Sequence, residues 1–159
     1  MGLVVLLTDC TTKRIASEHL TPHLPLPVVD DVLRFTLTRN TGAAMGLDLG
    51  DYSRVGFSVL ATVMLVVLVR LYRAHQHEPP IALAVALIAG GAAGNLLDRI
   101  RSPLGVVDFI DLGIGVHRFY VFNVADIGVS LGAAALALHL GRSHEHRSPP
   151  AETSPGAAP

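Results

Sequence analysis

FYVFNVADIGVSLGAAALALHLG, running from Phe119 to Gly141, is the stretch that decides the fold class. Charge-bearing side chains interrupt it only at Asp126 and His139, and it exceeds the ~20 residues a helix needs to cross a ~30 Å hydrocarbon core. Two more segments read the same way. Val55 to Val69 is uncharged and continues through Arg70 to Tyr72, with Arg70 placed to snorkel to the interface. Ile81 to Leu97 is uncharged throughout. Soluble core helices seldom stay apolar on every face for so long, so three membrane spans are predicted. Composition agrees: the 159 residues are 50% hydrophobic and 16% charged, with mean hydropathy +0.49, whereas soluble domains carry about 25% charged residues. A net charge of −1 and the lack of a basic block exclude a nucleic-acid partner. Cys10 is the single cysteine, so neither an internal disulfide nor a multi-cysteine metal site can form.

A fourth span is expected at the N-terminus, and it looks truncated. Met1 to Thr8 is apolar, but Asp9 interrupts it and Thr11, Thr12, Lys13 and Arg14 follow at once. Eight helical residues rise only about 12 Å, and we expect a start site assigned too late. No basic residue precedes the stretch and no small-residue cleavage site follows, which makes it a poor secretory signal. Asp9 also stands where a lipoprotein acylation site needs a small residue. Between the first and second spans, Pro22, Pro25 and Pro27 mark a turn-rich entry. Val32 to Thr38 then alternates apolar and polar, the period of a half-buried strand, and Asn40-Thr41-Gly42 ends it. The expected organisation is a single membrane-embedded domain over residues 1–142 and a disordered tail over residues 143–159, rich in Pro, Ser and Ala.

An ionisable side chain inside a span costs about 2.5–3.5 kcal/mol at mid-bilayer, so Asp126 is a functional candidate by default. Asn123 and Ser130 lie three residues before and four after it, on one helical face. On the preceding span Gly91, Asn95 and Asp98 form a second stripe, with Arg99 beside it. Between the helices, Asp108 sits in the apolar setting Val106-Val107-Asp108-Phe109, where loss of water favours the protonated carboxyl. Two facing carboxylates share one proton: the ionised member can take a proton from water while the other polarises a carbonyl. That chemistry needs no metal and no cofactor. At this point Asp98 and Asp111 remain alternatives to Asp108, with Asp111 expected to be a solvated acid and Asp98-Arg99 open as a membrane-edge ion pair. Gly90 to Gly94 has the G-x-x-x-G spacing of close helix packing. His75-x-His77 and His144-x-His146 lack cysteines and an ordered scaffold, and are expected to be solvated rather than zinc ligands. No serine has a nucleophile setting.

Five segments in order resemble the lipoprotein signal peptidases, the bacterial signal peptidase II family. They are Asp9-Cys10-Thr11-Thr12-Lys13, then Asn40-Thr41-Gly42-Ala43-Ala44-Met45-Gly46, then Gly90 through Arg99, then Val106-Val107-Asp108-Phe109, and finally Phe122-Asn123-Val124-Ala125-Asp126. Cys10 stands where the family usually has glutamine, and Met45 where it usually has phenylalanine. The resemblance implies a mainly α integral membrane protein, a four-transmembrane-helix bundle with a small extramembrane β cradle. It implies an aspartic endopeptidase that removes the signal peptide from diacylglyceryl-modified prolipoproteins, just before the lipidated cysteine. Asp108 and Asp126 would be the catalytic pair; Asn40, Asn95, Asp98, Arg99 and Asn123 would bind substrate or support the site. The implied setting is the bacterial inner membrane, with a multi-pass monomer among lipids and its active site toward the outer face. Charge counting opposes that orientation: Arg70, Arg73, Arg142 and Arg147 would lie inside and the other eight of the 12 basic residues outside. The rival function is a small transporter with Asp126 as a relay carboxylate, but no internal repeat supports it.

Overall fold

A computed structural model describes residues 1–42 and 50–145. Ala43 to Gly46 of the second motif, and the tail beyond Glu145, lie outside the described residues. Four helices form the bundle: α1 (Gly2–His19), α2 (Ser53–Ala74), α3 (Pro79–Arg101) and α4 (Val124–Glu145). Among the described residues, α2, α3 and α4 are long and apolar enough to cross a membrane. Four strands, β1 (Leu26–Val29), β2 (Leu33–Asn40), β3 (Val106–Ile114) and β4 (His117–Arg118), pair antiparallel in the order β1-β2-β3-β4. The expected strand over Val32 to Thr38 is β2.

The polar run after Asp9 does not end α1, as the sequence suggests it should. The helix continues to His19, and at 18 residues it rises roughly 27 Å. Asp9, Lys13 and Ala16 are its buried residues, spaced four and three apart. The charged pair therefore lies on the helix's inward face, where it finds partners, while Leu3, Val4 and Leu7 face outward.

Packing of the helices depends on glycine. A Cβ on Gly90 would strike the backbone of Gly2, and one on Gly91 would strike the Ala125 carbonyl oxygen. At Gly94 it would meet the Asp9 carboxylate, and 3.5 Å away the Ala125 Cβ. The G-x-x-x-G spacing is thus close packing, with α3 as the central helix against α1, α2 and α4. Gly2 meets Ala86 and Asp9 meets Gly94, so α1 and α3 run parallel; α4 runs against them, with Ala125 at Gly91 and Gly132 at Ala84.

Both ends of α4 differ from the sequence expectation. The apolar run from Phe119 does not begin as helix. Phe119 N–H donates to Leu112 O at 2.7 Å, and Phe122 exchanges bonds with Ile110 at 2.8 and 3.0 Å, so this segment pairs with β3 and α4 starts at Val124. β3 itself is buried from Val106 to Phe109, on both faces, and so lacks the alternation that reveals a half-buried strand. At its other end α4 continues to Glu145, past the Ser143 where the tail was expected.

Candidate active site

The α4 start builds the site. Asn123 immediately precedes the helix, and its Oδ1 accepts the Asp126 N–H at 3.0 Å while Asp126 Oδ2 accepts the Asn123 N–H at 3.1 Å. This is a reciprocal capping box, in which each side chain satisfies a main-chain donor that the helix leaves open. It fixes the Asp126 carboxylate at the mouth of α4, with its other oxygen accepting from Asn95 Nδ2 at 2.8 Å.

Asn123 also reaches the second aspartate. Its Nδ2 lies 2.6 Å from Asp108 Oδ1, 3.1 Å from Asn95 Oδ1 and 3.3 Å from Val107 O. One fully buried asparagine therefore contacts both carboxylates. Asp108 is 4% exposed on β3, and its carboxyl is pushed up to about 6. Burial is the main cause and the Asp126 charge the next, while hydrogen bonds from Asn123 and Asn40 and the charge of Lys13 pull the other way.

The surrounding residues fall into two groups. Asn40, at the end of β2, bonds the Gly42 N–H through its Oδ1 at 3.0 Å. Gly105, at φ +82, packs so closely on Asn40 O and Thr41 that a side chain there would displace this turn. Arg99 donates to Gly42 O at 2.8 Å and to Asn95 O at 3.3 Å, and its guanidinium lies 5.8 Å from the Phe57 ring centroid. It makes no ion pair with its neighbour Asp98, which pairs instead with Lys13 at 3.0 Å and accepts the Val107 N–H at 3.2 Å. Asp98 and Arg99 are adjacent in sequence but point around the helix to different partners, so of the two readings left open they do not form the membrane-edge ion pair.

Two more expectations change. Ser130 is exposed, whereas Asn123 is fully buried and stands before the helix as its cap, so Ser130 is not part of the site. Asp111 is 6% exposed rather than solvated: it accepts from Arg118 at 2.9 Å and from Thr36 at 2.9 Å, within the sheet. Asp9 and Lys13 were passed over as site residues. Lys13 lies 2.8 Å from Asp9 and 2.8 Å from Asn95 Oδ1, and Asp9 accepts the Ala125 N–H at 2.8 Å. Opposite charges four apart, on a segment that begins apolar, were the available signal.

Residues 1–142 match the family model described as signal peptidase II. A lipoprotein signal peptidase of Pseudomonas putida is 40% identical over 154 residues, covering 94% of this chain and 89% of that protein. One from Streptomyces coelicolor is 37% identical over 143 residues, covering 87% and 67%. Two solved structures, described as bacterial membrane enzymes determined by the in meso method, are also similar. The first has a TM-score of 0.84 at 28% identity, covering 94% of this chain and 90% of its own. The second has a TM-score of 0.77 at 30% identity, covering 87% and 88%.

Proposed function

The chain belongs to the signal peptidase II family, and from that premise we propose that it is an aspartic endopeptidase acting on diacylglyceryl-modified prolipoproteins, with Asp108 and Asp126 as its catalytic pair. It is a multi-pass membrane protein. The observation that carries the proposal is the contact of Asn123 with both carboxylates, which draws an acid from a buried strand and an acid from a helix mouth into one hydrogen-bonded unit.

In the proposed mechanism the pair shares one proton. Asp108, kept toward its protonated form by burial, donates to the scissile carbonyl oxygen. Asp126 takes a proton from a water, whose oxygen attacks the carbonyl carbon. The product is a tetrahedral intermediate with no bond to the enzyme. Its collapse breaks the C–N bond, as the proton gained by Asp126 passes to the leaving amine on the lipidated cysteine and one hydroxyl of the intermediate returns its proton to Asp108 while the carbonyl re-forms. Asn95 and Asn123 hold the two carboxylates, while Asn40 and Arg99 border the space that the substrate backbone or lipid would occupy. Asp98 supports the start of β3 through Val107. The site would face outward from the bacterial inner membrane, where exported precursors present their lipidated cysteine.

The test incubates the purified protein with a synthetic precursor, with and without the diacylglyceryl group, and measures products by mass. We expect cleavage directly before the modified cysteine and none of the unmodified peptide. Equal cleavage of both peptides would refute the lipid requirement, and proton flux in proteoliposomes without cleavage would favour the relay function.

A further inference from the structure

Lys13 takes no part in the chemistry above, yet it is only 3% exposed: its ammonium pairs with Asp9 Oδ2 at 2.8 Å and Asp98 Oδ2 at 3.0 Å, and donates to Asn95 Oδ1 at 2.8 Å. The third contact is the informative one. An amide has two unlike ends, and an ammonium can only donate. Lys13 therefore holds the Asn95 oxygen toward itself, which turns Asn95 Nδ2 toward Asp126 Oδ1 at 2.8 Å. Asn123 supports the same orientation less fully. Its Nδ2 has two hydrogens for three acceptors, and the shortest contact is Asp108 at 2.6 Å.

We propose that Lys13 is a positioning residue of the pair, one that acts through Asn95 to set the direction of the Asp126 carboxylate. The proposal rests on the reading of Asp108 and Asp126 as the catalytic pair. The surroundings of Lys13 fit that role. Asp9 lies one turn earlier on α1 and also holds the Ala125 N–H in the first turn of α4 at 2.8 Å. Asp98, on α3, holds the Val107 N–H just before Asp108 at 3.2 Å. The ammonium thus stands where α1, α3, the start of α4 and the start of β3 converge. A lysine present only to neutralise Asp9 and Asp98 would leave turnover unchanged once the fold was intact.

The experiment measures kcat and KM on the diacylated precursor for the wild type, Lys13→Met, Asp9→Asn/Lys13→Met, Asn95→Ala and Asn95→Ala/Lys13→Met. The second variant guards against misfolding, since it removes a charge with its counter-charge and keeps an oxygen at residue 9 for the Ala125 N–H. Misplacement of a reacting group by about an ångström costs up to roughly 100-fold. We expect Lys13→Met and Asp9→Asn/Lys13→Met to lose about 10–100-fold in kcat with KM within about threefold. Adding Lys13→Met to Asn95→Ala should cost nothing further. Wild-type kcat in Asp9→Asn/Lys13→Met, or an additive loss on the Asn95→Ala background, would overturn the proposal. Failure of the wild type itself to cleave would instead overturn the functional reading on which it rests.

Discussion

Asp126 carries two duties on one carboxylate, completing the α4 capping box and forming half of the proposed pair. It was legible in the sequence because burying an acid in an apolar helix is costly. Asp108 was not separable from Asp98 and Asp111 by the same argument. What distinguishes it is the bond to Asn123, a product of tertiary packing; Asp111 is buried in the same strand but is held by Arg118 and Thr36. The elevated Asp108 value makes a prediction with a definite sign. The folded chain binds this proton more tightly than the unfolded chain, since the value rises from 3.8 to about 6. That advantage is complete below about 4 and is lost as pH climbs through about 6. Asparagine cannot ionise, so Asp108→Asn should be more stable than the wild type by about 1–3 kcal/mol above pH 6. The gain should fade as the pH falls toward 4, measured as thermal unfolding in detergent micelles. A gain that grew with acidity would contradict this account of Asp108.

Helices α2 and α3 could be read from length and apolarity, because lipid demands both. Elements fixed by partners could not. β1 contains Pro27 and is exposed along its length, as suits an edge strand, so nothing in its composition marked it. β3 was hidden by burial on both faces, and the α4 start by a pairing of Phe122 with a strand that was itself unread. The glycine spacing was readable because it reports the contact directly. At Gly91 the obstacle to any side chain is the Ala125 main chain, which cannot rotate away, along with Val129 Cγ2 at 2.8 Å. Gly91→Leu should therefore push α3 from α4, cost about 1–3 kcal/mol or more in stability, and reduce cleavage by drawing Asn95 off Asp126. A variant with wild-type melting temperature in micelles and wild-type turnover would show that this contact does not hold the site together.

Across the whole molecule, the C-terminal ends of α1 and α3 and the N-terminal ends of α2 and α4 lie at the sheet end of the bundle, and the candidate site is there. Charge counting from sequence treats every cation alike. Of the eight basic residues at this end, Lys13, Arg14, Arg34 and Arg118 are ion-paired, and Arg54 and Arg99 bond main-chain carbonyls. The count and the proposed outward orientation still oppose each other, and labelling decides between them. In a Cys10→Ser background, Val116→Cys at the 90% exposed β3–β4 turn should react in intact cells with a membrane-impermeant thiol reagent. His77→Cys, in the α2–α3 turn, should react only after the membrane is opened; the reverse pattern would place the site inside. The central claim, that Asp108 and Asp126 act as a pair, is tested most directly by one comparison. Turnover of the diacylated precursor is measured for the wild type, Asp108→Asn and Asp126→Asn, each shown to be folded by its melting transition. General acid–base groups contribute roughly 10²–10⁴-fold, so each variant should lose at least about 100-fold. Cleavage within about twofold of wild type by either folded variant would contradict the account.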